Sequence, residues 1–369
     1  MTAPVIIYGA SGYTGKLIAW HLAEAGIPFI AAGRSLARLE EQMALVPELK
    51  GAAFECREVA HDVASLTALF EGAQVVYNVT GPFSELGRPV VEAALATGCH
   101  YLDTTGEADW MRTARDDFGT QFAAKKLLLA PASSYMWAAG NLAAEIALET
   151  PGIDSLDILY LADSATSVAS TKSFLRMCTQ QQYYLENGKP APWPMATSYP
   201  VISPDAHRMY RAVPWSGGGE PIWYEHDDRV RNCATMVAFK NPVMFDAVIK
   251  TLEEFEEKYS HLPDDEQVRI CNQLGGEMTQ VEPGREDPDV NRSVISCIGR
   301  GNVSGVKVVL RGNSPYIQTG LLAAEACRRI LAGQLLATGF QSPAKAIGAR
   351  QILNVWAEHG YHSWSAEPN

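Results

Sequence analysis

The chain has 369 residues, 47% of them hydrophobic and 20% charged, a globular composition that excludes a mainly disordered protein. That length suits one large α/β unit or two domains. The net charge of −12 argues against a general nucleic-acid binder, which needs a basic face, but not against a nucleotide bound locally.

The chain enters strand-like Val5-Ile6-Ile7-Tyr8 at once, without the pattern of a signal peptide. Strands are predicted at 5–8, 29–32, 53–56, 74–79, 100–103 and 127–130. Helices are predicted at 15–25, 36–45, 65–71, 88–97 and 109–124. This alternation predicts a parallel sheet with right-handed crossovers, and strand runs that are apolar throughout predict that both faces are covered. The longest uncharged stretch, 127–144, holds Pro131, Ser133, Ser134, Gly140 and Asn141, so it reads as a buried strand, turn and helix start rather than a membrane span. Beyond 152 the pattern changes. A strand at 156–161 and a helix at 171–185 precede a loop-rich stretch carrying Pro190, Pro192, Pro194, Pro200, Pro204 and Pro214, then Gly217-Gly218-Gly219. Helices at 244–259 and 264–274 follow, then a hairpin of 293–298 and 303–310, and helices at 317–331 and from Pro343 to 357. The expected architecture is a Rossmann-type, doubly wound parallel sheet with an inserted α+β domain. A nucleotide domain spans 1–135, a substrate or dimerisation domain 136–314, and 315–369 is expected to pack as helices on the first.

Gly9-Ala10-Ser11-Gly12-Tyr13-Thr14-Gly15 lies between the first strand and the first helix. Glycines there allow a tight turn and close approach of a diphosphate, and the helix start favours its negative charge. An NAD site usually carries an acid after the second strand. Here the strand runs into Gly33-Arg34-Ser35, with Arg38 beyond and no acid until Glu40. Arg34 suits adenine stacking and a 2′-phosphate, and Ser35 offers a further hydrogen bond, which points to NADP(H). The plainer alternative is that Arg34 and Arg38 are solvated residues at a helix start.

Three further segments carry a resemblance: Asn78-Val79-Thr80-Gly81-Pro82-Phe83, Gly87-Arg88-Pro89-Val90-Val91-Glu92 and His100-Tyr101-Leu102-Asp103-Thr104-Thr105-Gly106-Glu107. With the glycine turn, they resemble the saccharopine dehydrogenase-like oxidoreductases, which include saccharopine dehydrogenase or reductase and the trans-acting enoyl reductases. Gly312-Asn313-Ser314-Pro315-Tyr316 and Gly339-Phe340-Gln341-Ser342-Pro343-Ala344 resemble two later segments of that family. The resemblance implies that Thr80, Gly81, Pro82 and Phe83 lie beside the dinucleotide, with Phe83 packing on it, and that Thr105 follows the fifth strand nearby. Glu107 is either a favourable first-turn carboxylate or a catalytic group. The chain departs from the family at residues 130–141, where Tyr135 and Trp137 stand in place of an acidic residue and a second proline.

No Y-x-x-x-K pair and no G-x-S-x-G elbow occurs. Hydride transfer to a double bond needs a proton donor, and Tyr135 is the leading candidate, with Ser133, Ser134 and Lys172 as alternatives. For each of them, packing or solvation is the plainer account. His359 and His362 form H-x-x-H without carboxylates in a ligand pattern, so two exposed histidines and no metal are expected. Seven scattered cysteines without C-x-x-C spacing suit a reducing cytoplasm. Tyr183, Tyr184, Trp193, Tyr199, Tyr210, Trp215, Trp223 and Tyr224 concentrate in the middle of the chain. They suit an apolar or ring-containing small molecule, or a homodimer interface. The sparse basic residues there count against a dicarboxylic amino acid. The expected protein is a cytoplasmic NADPH-dependent reductase of a conjugated C=C or carbonyl group, with no nucleic-acid partner and no membrane span. Saccharopine-type C=N chemistry and a non-catalytic NADP(H)-binding protein are the alternatives.

Overall fold

The structure, a computed structural model, describes residues 3–204, 208–278 and 281–368. The first part alternates β1 (Val5–Tyr8), α1 (Tyr13–Glu24), β2 (Phe29–Gly33), α2 (Leu36–Ala44), β3 (Phe54–Glu58), α3 (Val63–Phe70), β4 (Val75–Asn78), α4 (Phe83–Thr97), β5 (His100–Asp103), α5 (Ala108–Ala124), β6 (Leu128–Ala130) and α6 (Tyr135–Ala147). Then come β7 (Ser155–Asp163), α7 (Val168–Thr179), β8 (Tyr183–Glu186), β9 (Lys189–Pro192), β10 (Tyr199–Ile202), β11 (Met209–Val213), α8 (Glu220–Tyr224), β12 (Asn232–Phe239), α9 (Pro242–Tyr259) and α10 (Asp264–Met278). The chain closes with β13 (Arg292–Arg300), β14 (Gly305–Asn313), α11 (Pro315–Leu331), β15 (Gly339–Phe340), α12 (Ala349–Glu358) and β16 (His362–Pro368).

Two compact units divide these elements. The first takes residues up to Thr105, with 109–138 and 316–359. Its sheet, all parallel among the described residues, runs β15-β6-β5-β4-β1-β2-β3. Strand order reverses between β1 and β4, so a crevice opens at their carboxyl ends, where doubly wound sheets bind ligands. The apolar runs of β1, β2 and β4 are buried along their whole length, whereas edge strand β3 is half-buried, as coverage on both faces dictates. Helix α11 lies close against α1: a Cβ on Gly320 would stand 2.7 Å from the Leu17 carbonyl oxygen. Trp356 of α12 donates its indole N–H to the Gln318 carbonyl of α11 (2.9 Å).

The second unit comprises 106–108, 139–315 and 360–369. Its sheet has the path β10-β11-β12-β7-β13-β14-β16, with β8 on β12 and β9 on β8. Only the β12–β7 pairing is parallel among the described strands.

Several local expectations are corrected. The helix read across 171–185 stops at Thr179, and Tyr183–Glu186 is a strand. The proline-rich stretch is not mere loop: β8 to β11 form there, with the prolines at strand ends or in exposed hairpins where a missing N–H costs little. The helix read from Pro343 begins as a π turn over Ala344–Gly348, and Gly348, at φ +108°, separates it from α12. The last residues are not helical. Strand β16 pairs with β14 and carries His362, which is buried rather than exposed; burial holds its imidazole down at about 4. His359 is exposed, with Nδ1 at 2.8 Å from the Val355 carbonyl. No cluster of metal-ligating side chains and no helix long and apolar enough to cross a membrane occurs among the described residues.

Candidate functional site

At the carboxyl end of β1, Gly9 adopts φ +94°, a conformation that favours glycine. A Cβ there would stand 2.4 Å from Thr80 Oγ1, so only a bare α-carbon lets the first turn meet the turn after β4. Gly12 caps α1 without a side-chain partner for the first helical N–H groups, and Tyr13 sets its ring edge-on to Tyr316 (5.0 Å). A Cβ on Gly15 would meet Ala10 backbone at 2.6 Å, which fixes the helix tightly under the turn. This glycine-bearing turn at a helix start, with backbone packed close at Gly9 and Gly15, fits a dinucleotide diphosphate.

The second turn is internally braced. Asn78 Oδ1 accepts the Thr80 N–H (3.0 Å), and the Thr80 hydroxyl donates to the Tyr8 carbonyl (3.2 Å). Phe83, expected against the dinucleotide, is instead buried in the core of the first unit, where it starts α4.

Asp103, at the end of β5, was not singled out from the sequence, yet it ties the remaining turns together. Its Oδ2 accepts the Tyr101 hydroxyl (2.8 Å) and the Trp110 indole N–H (2.9 Å). Its Oδ1 accepts the backbone N–H of Thr105 (3.0 Å) and of Ala132 (2.9 Å). Asn78 Nδ2 donates in turn to the Tyr101 oxygen (3.1 Å), so the turns after β4, β5 and β6 share one buried network. Burial pushes the Asp103 carboxyl up to about 6, with the four donors opposing that rise. The available signal was a polar residue closing an apolar strand, at both Asn78 and Asp103.

In the turn after β6, Ser133 donates its hydroxyl to the Ala130 carbonyl (2.8 Å) and Ser134 donates to the Met136 carbonyl (3.2 Å). Tyr135 is buried, its N–H held by Thr319 Oγ1 (2.9 Å) and its ring beside Trp356 (6.2 Å). Trp137 takes φ +68°, which breaks the first turn of α6. The Lys172 side chain lies outside the described residues. Glu107 belongs to the second unit, where it forms a buried ion pair with Arg176 (2.9 Å) rather than serving as a first-turn carboxylate. Of the middle aromatics, Trp215, Trp223 and Tyr224 are core residues, while Tyr184, Trp193 and Tyr199 form a half-buried cluster of tilted rings with centroids 4.6 and 5.2 Å apart.

Arg34, Ser35 and Arg38 are exposed beyond β2. Ser35 Oγ caps α2 by accepting the Arg38 N–H (3.4 Å). The sheet also brings an acid that chain distance concealed: Glu58 Oε2 accepts the Leu36 N–H (2.8 Å) from the end of β3. That carboxylate is committed to the start of α2.

Residues 5–125 match the saccharopine dehydrogenase NADP-binding domain, and residues 138–364 match a family of unknown function, DUF5938. A trans-acting enoyl reductase of Mycobacterium leprae is 37% identical over 123 residues, and a lipid droplet localized protein of Caenorhabditis elegans 31% over 125. Each match covers 32% of this chain and only 29% of the relative's length. Apo saccharopine dehydrogenase (L-Glu forming) of Saccharomyces cerevisiae shares the fold across 99% of this chain and 100% of its own, with a TM-score of 0.61 at 13% identity. The cofactor of the first unit is accordingly NADP(H). By the match over 138–364, the chain belongs to the DUF5938 family, and it carries a saccharopine dehydrogenase NADP-binding domain ahead of that region.

Proposed function

We propose that the protein is an NADPH-dependent oxidoreductase that reduces a conjugated C=C or carbonyl group of a fairly apolar small molecule in the cytoplasm. The observation that carries this reading is the convergence of four strand-end turns, after β1, β4, β5 and β6, three of them fastened to one another through Asp103 and Asn78. The relatives named trans-acting enoyl reductases favour C=C over C=O. When bound, the cofactor supplies a hydride; the other atom of the double bond then needs a proton. Backbone groups of the glycine turn bind the diphosphate, Arg34 and Ser35 the 2′-phosphate, and Thr80 and Gly81 border the ribose side. Tyr135 holds the proton at its phenolic oxygen. It is preferred over Ser133 and Ser134 because both serine hydroxyls already donate to backbone carbonyls. Thr319 and Trp356 fix its position, as a general acid requires.

The test is NADPH oxidation followed against panels of enones, ketones and imines. Turnover is expected to be fastest with enones, slower with ketones and absent with imines; turnover confined to imines, or with none of the three, overturns the reading. With an accepted substrate, Tyr135→Phe lowers kcat by roughly 100-fold, the scale of general-acid catalysis, and leaves NADPH affinity within about twofold. Full turnover by the phenylalanine variant, with chemistry limiting, removes Tyr135 from the mechanism.

A further inference from the structure

Three adjacent strands end side by side with Tyr8, Arg34 and His61 at or just past their carboxyl ends. Tyr8 closes β1, Arg34 follows β2, and His61 lies between β3 and α3. The Tyr8 hydroxyl is 2.7 Å from His61 Nδ1, and the two rings are near-coplanar, 9° apart with centroids 5.9 Å apart. This contact ties the imidazole to the last residue of β1, where the glycine turn begins. His61 Nε2 is buried and has no hydrogen-bond partner among the described residues. The Val59 N–H donates to the Gly33 carbonyl (3.0 Å), so the chain leading to His61 leaves the sheet beside Arg34.

We propose that His61 is a further element of the 2′-phosphate subsite, acting with Arg34 so that NADP(H) binding takes up a proton at His61 and selectivity over NAD(H) strengthens as pH falls. The inference rests on the NADP(H) assignment and adds a specificity-determining residue to it. In the free protein, burial foremost and then the Arg34 charge hold the imidazole below its ordinary range, so it is neutral near pH 7. The other charged groups around it do not offset this. Asp62 raises the imidazole, but as a lesser influence than burial and Arg34, and its carboxylate is turned onto Ser65 as the cap of α3. Glu58 is engaged at Leu36, and Tyr8 is itself held in its neutral form by burial. A phosphate dianion arriving beside Arg34 reverses the local field and favours imidazolium. The sign follows: a proton gained on binding makes affinity rise as pH falls toward the free imidazole's range. The ligand's own phosphate, with a second pKa near ~6, works in the opposite sense and cannot imitate the effect.

The experiment is calorimetric titration of the whole protein with NADPH and with NADH at pH 6.5, 7.5 and 8.5, in buffers of differing ionisation enthalpy. For the wild type, NADPH affinity is expected to fall roughly tenfold from pH 6.5 to 8.5, the scale of one charge-assisted contact, with proton uptake on binding and NADH nearly unchanged. His61→Gln is expected to bind NADPH at every pH as the wild type does at 8.5. His61→Arg is expected to bind tightly with no slope. Should the glutamine variant misfold by melting temperature, proton uptake by the wild type and the flat profile of His61→Arg still decide. NADPH affinity that is tight but flat in the wild type, or a slope that survives in His61→Gln, overturns the inference and leaves the cofactor assignment standing. No NADPH binding by the wild type overturns both.

Discussion

Glu220 shows how single residues divide between function and fold. It is fully buried in the second unit, where Tyr160 (2.8 Å) and Thr235 (3.1 Å) donate to its two oxygens. A Cβ on Gly140 would stand 2.1 Å from Oε1, so only a glycine there lets the backbone of α6 pack against the carboxyl. Burial pushes it up to about 7, above its ordinary value of 4.5. The folded state therefore favours the neutral form: the stability it contributes is present below the unfolded pKa and is lost as pH rises through about 7. Between pH 5 and 8, Glu220→Gln should lose less stability than the wild type, by up to roughly 3 kcal/mol, since each pKa unit is worth about 1.4 kcal/mol. Asp103 shifts in the same direction in both proteins and cancels from the comparison. Parallel denaturation curves for the two proteins at all pH values would mean that Glu220 is buried as a carboxylate. At this scale the sequence singled out the glycine turn and Arg34, whose expected chemistry is local. It concealed Asp103, Glu58 and His61, whose partners arrive from neighbouring strands.

Among the elements, the parallel strands of the first unit were the most legible, because each is a short continuous apolar run between turn residues. Strands β8 to β11 were not, since prolines at strand ends mimic loop composition. Helix α6 was only half legible: the positive φ of Trp137 arises from the turn it closes, and no residue type announces it. The packing of α4 on α5 has a specific hinge at Gly87, where a Cβ would stand 2.4 Å from the Trp110 ring. That ring is fixed by its hydrogen bond to Asp103, so it cannot yield cheaply. Gly87→Ala gains about 1 kcal/mol of helix propensity but overpacks the contact by about 1–3 kcal/mol. We expect a net loss of about 1 kcal/mol, together with weaker NADPH binding as the Asp103 network shifts. Calorimetric melting and a binding titration check both; a variant as stable as the wild type would show that the indole relaxes without cost.

For the whole chain, the two units part at 138–139, ahead of the change of sequence pattern near residue 150, and residues 5–125 and 138–364 answer to different family models. Two short segments escaped the sequence. Residues 106–108 belong to the second unit through the Glu107–Arg176 pair and the Ala108 N–H donated to Ser216 Oγ (3.0 Å). Residues 360–369 join it by the pairing of β16 with β14. Both rest on partners remote in sequence, which local periodicity does not register. The central claim, a site built for the 2′-phosphate of NADP(H), is tested most directly by calorimetric titration of wild type and Arg34→Ala with NADPH and NADH. The wild type should bind NADPH far more tightly than NADH, and the variant should lose roughly tenfold or more for NADPH while NADH changes by less than about twofold. Equal losses for the two cofactors, or a wild type that binds NADH as tightly as NADPH, would contradict it.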